Sequence, residues 1–159
     1  MSEMTDPMEA LTSLQIEVKR GLRFKPCELD SSIGVYMDQP NGSTRLSYAK
    51  IEDGIVKALS LFVAVDPIDG VACFTAGYSV ANDCRNNGIA TSFLKNSIAE
   101  LKHGLGENGV NKFYIEAIVG VDNIASQKVA AKTISTTHEA VVDCCSGKGA
   151  FRYLHLVET

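Results

Sequence analysis

Between residues 71 and 119 the hydrophobic pattern changes twice, and that order restricts the fold more than any other feature of the chain. Val71 to Val80 is a strand-like run, and it leads into the polar turn Arg85-Asn86-Asn87-Gly88-Ile89-Ala90. Ala90, Leu94, Ile98, Leu101 and Leu105 then recur at helical spacing, which predicts a helix from Ile89 that stops near Gly104 and Gly106. Lys112 to Val119 follows as a short apolar strand. A helix placed between two strands lets them lie parallel through a crossover. A strand that opens through a short turn into a helix leaves backbone N–H groups pointing outward, an anion site strengthened by the helix dipole. Gly88 removes a side chain where a ligand would approach the backbone. The geometry suits a pyrophosphate, and so a nucleotide or a coenzyme.

The flanking sequence extends this unit. Met1 to Thr12 is polar and acidic and reads as a flexible tail, leaving 13–159 as a single domain. Leu14, Ile16 and Val18 alternate, which predicts a first strand over Leu14 to Phe24, interrupted at Gly21; Ile33 to Met37 predicts another. Gln39 to Ser43 reads as a turn. Leu46–Ile51 and Ile55–Val65 flank Glu52-Asp53-Gly54 as a hairpin, and Asp66 to Gly70 turns the chain into Val71–Val80. Asn123 to Thr133 predicts a second helix with Asn123 as its N-cap. Ala140–Cys145 and Phe151–Val157 form a closing hairpin around Ser146 to Gly149. The fold class is therefore α/β in a mixed, α+β sense.

The chain has 159 residues, enough for one domain with a real core. A net charge of −4 argues against a nucleic-acid partner, which needs a basic face, and is compatible with cationic amines. The five cysteines, Cys27, Cys73, Cys84, Cys144 and Cys145, are odd in number and form no Cys-x-x-Cys pair, which argues against zinc or a disulfide framework. Cys84 abuts the anion site, where a helix terminus depresses a thiol pKa. No signal peptide is visible and the longest apolar run, Ala58 to Val65, is too short to span a bilayer, so no membrane partner and a cytoplasmic location are expected. A dinucleotide-binding loop would need Gly-x-Gly-x-x-Gly in an early βαβ unit, and a Walker-type loop would need Gly-Lys-Ser/Thr; neither is present.

Arg85-Asn86-Asn87-Gly88-Ile89-Ala90 resembles the acetyl-coenzyme A motif of the GNAT N-acetyltransferase superfamily, Arg/Gln-x-x-Gly-x-Gly/Ala after a central strand. Glu116 to Ser126 resembles that family's next strand and helix entry, and Asp122-Asn123-x-x-Ser126 followed by Lys128-Val129-Ala130 is nearest to the branch that acetylates N-termini of ribosomal proteins. The resemblance covers about Ile55 to Val157. It implies a GNAT-like single domain, a mostly antiparallel mixed sheet with a splayed parallel pair and flanking helices. It implies acetyl-CoA as cofactor and direct acetyl transfer, through a ternary complex, to a primary amine of a protein N-terminus or a small molecule.

The resemblance also assigns roles. The pyrophosphate would lie on the backbone of Arg85, Asn86, Asn87, Gly88, Ile89 and Ala90, with Thr91 close by; the Arg85 side chain is otherwise a solvated loop arginine. The strand edge Tyr78, Ser79 and Val80 would bind the pantetheine arm, with the Val80 N–H polarising the thioester carbonyl. Glu116 is the candidate base, or a rim glutamate on an open face. Asn123 would contact the coenzyme. Ser126 would bond the sulfur or simply cap its helix. The family's usual tyrosine acid falls at Ala130, a departure that leaves a non-catalytic acyl-CoA-binding module as the alternative. The family's two helices after the first strand have no counterpart in the pattern between Arg20 and Tyr48, so the acceptor site is open or completed by a partner in a homodimer. His138, Tyr153 and His155 are candidates to line it.

Overall fold

The computed structural model describes residues 7–81, 88–143 and 147–158. In chain order the elements are α1 (Pro7–Lys19), β1 (Lys25–Pro26), β2 (Ile33–Asp38), β3 (Arg45–Glu52), β4 (Ile55–Ile68), β5 (Val71–Val80), α2 (Ile89–Glu107), β6 (Lys112–Gly120), α3 (Ile124–Thr133), β7 (Glu139–Val142) and β8 (Gly149–Glu158). The strands form one mixed sheet in the order β1-β2-β3-β4-β5-β6-β8-β7. Every pairing is antiparallel except β5 with β6, which the α2 crossover makes parallel. This is the α/β class expected, with the parallel pair where the sequence pattern puts it.

The meander is set by two Asp-Gly turns. Asp53 (φ 52°) with Gly54 (φ 77°), and Asp69 (φ 49°) with Gly70 (φ 78°), both take the left-handed conformation that matches the twist of a two-residue hairpin. The second turn is tighter than the predicted Asp66–Gly70. β4 continues to Ile68, and the register shift between Val65 and Ile68 accommodates Pro67, which has no N–H for the ladder.

The N-terminal expectation is corrected. A helix begins at Pro7, inside the predicted tail, and runs through most of the predicted strand. Leu11, Leu14 and Val18 fall on one helical face and pack on Ala49, Val56 and Leu59, while Ile16 points out at 49% exposure. Gln15 pins the helix to the first hairpin: its amide donates to the Gly54 carbonyl and its Oε1 accepts from the Val56 N–H, each at 2.8 Å. Helix α2 starts at Ile89 and stops near Gly106 as expected, at Glu107, where Gly109 (φ 82°) lets the Val110 N–H turn back to the Leu105 carbonyl at 2.8 Å.

Neighbouring residues of one strand face opposite layers. Tyr48, Ala58, Phe62, Phe74, Ala76, Phe113, Ile115 and Ala117 join Phe93, Leu94 and Leu101 of α2 and Ala130 of α3 in the main core. Ala49 and Leu59 face the other way, under α1. Phe62, Leu94 and Phe113 are fully buried, each contributing about 1.5–3 kcal/mol of transfer free energy. Among the described residues no helix is long and apolar enough to cross a membrane.

Candidate active site

The two central strands part company. β5 stays paired with β4 as far as Val80, opposite Ala58. Its parallel register with β6 runs Cys73↔Tyr114, Phe74↔Ile115, Thr75↔Glu116 and stops there. β6 continues with β8 as far as Gly120. A fork therefore opens between Ala76–Val80 and Ala117–Gly120. The chain leaves β5 toward α2 and leaves β6 toward α3, so both helix N-termini stand at its mouth, where ligands of crossover folds collect.

The two termini are finished differently. Asn123 caps α3, its Oδ1 accepting from the Ser126 N–H at 3.1 Å. Helix α2 has Gly88 at its N-cap position, left-handed at φ 70°, with no capping side-chain bond and no acidic residue in the first turn. The leading N–H groups of Ile89, Ala90 and Thr91 carry the positive end of the helix dipole, which suits an external anion. A Cβ built on Gly88 would meet nothing within 4 Å, so the approach is open. These features fit a coenzyme pyrophosphate. Arg85, Asn86 and Asn87, and Cys84 before them, lie outside the described residues.

One wall of the fork is Tyr78, whose side chain extends toward α3. Its hydroxyl donates to the Ser126 carbonyl at 2.8 Å. Burial pushes the phenol up to about 12, against a smaller opposing effect of that hydrogen bond. Ser79 pairs with Leu59 in the β4 ladder and Val80 is buried in the core. Ser126 is half-buried in the first turn of α3, beside the exposed Asn123. Ala130 is fully buried, in the core cluster against which Tyr78 also packs, so a close-packed interior occupies the place of the family's tyrosine.

Glu116 sits at the last rung before the fork, on the sheet face turned away from α2 and α3. It is 9% exposed. Its Oε1 accepts from the Thr75 hydroxyl at 2.6 Å and its Oε2 from Arg152 Nε at 2.8 Å; Arg152 Nη1 reaches Glu139 Oε1 at 3.1 Å. It is therefore neither a rim carboxylate nor an unpaired one. Thr75, Arg152 and Glu139 were not legible as site residues, because the contacts join positions 41 and 36 residues apart in sequence. The proposed acceptor-lining group separates. His138 lies against Phe151 and Tyr153, at 4.4 and 5.1 Å between ring centroids, while Tyr153 is a core residue at 2% exposure. His155 stands further along β8, exposed and opposite Ile115. A cleft of about 670 Å³ lies at the end of β6, lined by Ile118, Gly120, Val121, Asn123, Lys148 and Gly149 among others.

No family model and no curated protein matches the sequence. Solved structures do match in three dimensions. A Bordetella pertussis protein described as a GNAT-family acetyltransferase superimposes with a TM-score of 0.54 at 13% identity, over 71% of this chain and 65% of its own. A ribosomal-protein-S5-alanine acetyltransferase from Vibrio fischeri gives 0.54 at 12% identity, over 74% and 63%. The ribosomal L7/L12 alpha-N-protein acetyltransferase RimL, in complex with coenzyme A, gives 0.51 at 20% identity, over 71% and 62%. The chain has the GNAT fold. It spans less than two thirds of the length of each of these three proteins. As read from the sequence, no pair of helices lies between Arg20 and Tyr48: β2 and β3 are joined by a single 3₁₀ turn, Pro40–Gly42, and a helix precedes the sheet.

Proposed function

We propose that this protein is an acetyl-CoA-dependent N-acetyltransferase acting on a primary amine, of a protein N-terminus or a small molecule, by direct transfer in a ternary complex. The observation that carries the reading is the fork between β5 and β6 with the uncapped α2 terminus at its mouth. When bound, the coenzyme supplies the activated acetyl thioester. The N–H groups of Gly88, Ile89 and Ala90, with Thr91 and the preceding Arg85, Asn86 and Asn87, hold the pyrophosphate. The edge Tyr78–Val80 would hold the extended arm by strand-like bonds, and the Val80 N–H would serve as an oxyanion donor to the thioester. Asn123 would contact the coenzyme and Ser126 would bond its sulfur. A carboxylate offers about four acceptor positions, and Glu116 uses one on Thr75 and one on Arg152. It takes the proton of the attacking amine through water on the remaining ones. The short β2–β3 link leaves the acceptor side open or completed by a second copy in a homodimer.

A second reading has its own support. Tyr78 holds its proton tightly, Glu116 is ion-paired and Ala130 is buried, which fits a non-catalytic acyl-CoA-binding module. Incubation with acetyl-CoA and a panel of amines, read as free thiol, separates the two. Release that depends on the amine is expected; saturable binding without release favours the module. In calorimetry Gly88→Glu should abolish coenzyme A binding by placing bulk and negative charge on the anion site. Affinity that survives this change overturns the pyrophosphate assignment.

A further inference from the structure

We infer that Tyr78 is a positioning residue, a strut from β5 that fixes the first turn of α3, and with it Ser126, across the mouth of the fork. The kinetic part of this inference rests on the function proposed above; the structural part does not.

Helix α3 is a short element with little of its own to hold it. It runs only from Ile124 to Thr133, and Ala130 is its one fully buried residue. A helix of that length is marginal without tertiary ties. Its first turn has three side-chain ties: the Asn123 cap and the Gln127 amide, which donates to the Gly120 and Val121 carbonyls at 3.0 Å, hold it to the end of β6, and the Tyr78 hydroxyl holds it to β5. Tyr78 lies beyond the last rung of the parallel pair, at Thr75↔Glu116. It alternates in phase with Phe74, Ala76 and Val80, so its ring enters the layer shared with α2 and α3. In a regular helix the Ser126 carbonyl accepts from the N–H four residues on, and the phenol takes the second lone pair. This bond links the β5 wall of the fork to α3.

The hydroxyl is a fixed donor. With its proton held to about 12 by burial, it does not surrender it to a thiolate, whose ordinary pKa is about 8.5. Tyr78 therefore acts on the reaction only through the geometry of Ser126 and the α3 terminus. The Asn123 and Gln127 bonds hold this turn only to the end of β6; the Tyr78 bond holds it to β5 and keeps the Ser126 side chain from swinging away from the arm of the coenzyme.

Tyr78→Phe keeps the ring and deletes the hydroxyl. Losing one buried neutral hydrogen bond should speed local amide exchange about five- to tenfold. That change is expected at Ser126, Gln127 and Ala130, with the amides of β4 unaffected. In the acetyl-transfer assay kcat should fall by a similar factor while the KM for acetyl-CoA holds, because an orientation effect acts in the transition state. Unchanged exchange at α3 overturns the strut. Faster exchange with unchanged kcat, in a protein that turns over, overturns the positioning role. Where the wild-type protein binds no coenzyme, the function proposed above fails, and the exchange arm still decides the strut.

Discussion

Glu100 shows what a buried charge can be used for away from any reaction. It is 5% exposed, on α2, and its two oxygens accept from the consecutive N–H groups of Leu29 and Asp30, each at 3.0 Å. The carboxylate thus satisfies backbone donors of the β1–β2 link, which has no ladder partner for them. Glu100→Ala strands both donors and should cost about 2–3 kcal/mol, read as a lower denaturant midpoint with an unchanged slope. Glu100→Gln keeps one acceptor and sets an NH₂ against the other N–H, so it should recover less than half of that loss; full recovery would mean that the charge and second acceptor are irrelevant. Two buried cysteines, Cys27 on the α2 side of the sheet and Cys73 on the side of Glu116, make a second residue-scale case. Burial pushes Cys27 up to about 12 and Cys73 up to about 11. At about pH 8 the Cys27 thiolate fraction is on the order of one in ten thousand. Alkylation at that pH should leave both residues unmodified until the protein is unfolded, and rapid labelling of either in the native state would contradict their placement.

At the scale of elements, the β1–β2 link is also clasped to α2 by an exposed group, in which Glu28 Oε2 lies 2.6 Å from His103 Nε2 and Glu107 Oε1 lies 3.3 Å from the same nitrogen. The Glu28 hydrogen bond raises the His103 pKa above 6.5, and the same bond lowers that of Glu28 below 4.5. Lys25 adds to the lowering of Glu28, and Glu100 adds to the raising of His103. A raised imidazole stabilises fully below its unfolded pKa and loses that contribution as pH rises through the folded value. A lowered carboxyl stabilises above its unfolded pKa and loses that contribution as pH falls through the folded value. The clasp is therefore complete between about 4.5 and about 6.5 and weakens on either side. Thermal midpoints should fall from about pH 6 to about pH 9 in the wild type and fall less in Glu28→Gln. A variant with the wild-type pH profile would remove the clasp from the account. The elements themselves were unequally legible. Asp53-Gly54 and Asp69-Gly70 announce their hairpins, because few dipeptides take two positive φ angles. Leu14, Ile16 and Val18 mislead, since they alternate within a helix whose face is made by Leu11, Leu14 and Val18.

For the whole molecule, the divide between legible and illegible follows sequence distance. The crossover from β5 through α2 to β6 is continuous, so its hydrophobic periods alone give the parallel pair, the helix terminus at the fork and the Asn123 cap. The rest of the candidate site depends on registers that no local pattern encodes. Thr75, Glu116 and Arg152 meet only because β5, β6 and β8 pair as they do, and Tyr78 meets Ser126 only because the parallel register stops at Thr75. The N-terminal helix is illegible for a related reason: its amphipathic face is defined by the β3–β4 surface that it covers. That dependence is testable. Leu11 is 7% exposed and packs with Ala49, Val56 and Leu59. Leu11→Ala leaves a cavity under α1 and should cost about 2–4 kcal/mol, lowering the thermal midpoint by roughly 5–15 °C in a chain of this size. Because α2 and α3 cover the opposite face of the sheet, the loss should leave the fork intact, and coenzyme A affinity at a temperature well below the new midpoint should stay within about twofold of the wild type. A midpoint that does not move shows α1 undocked. A large loss of affinity instead makes the α1 layer part of the binding site, so that the two faces of the sheet act as one unit.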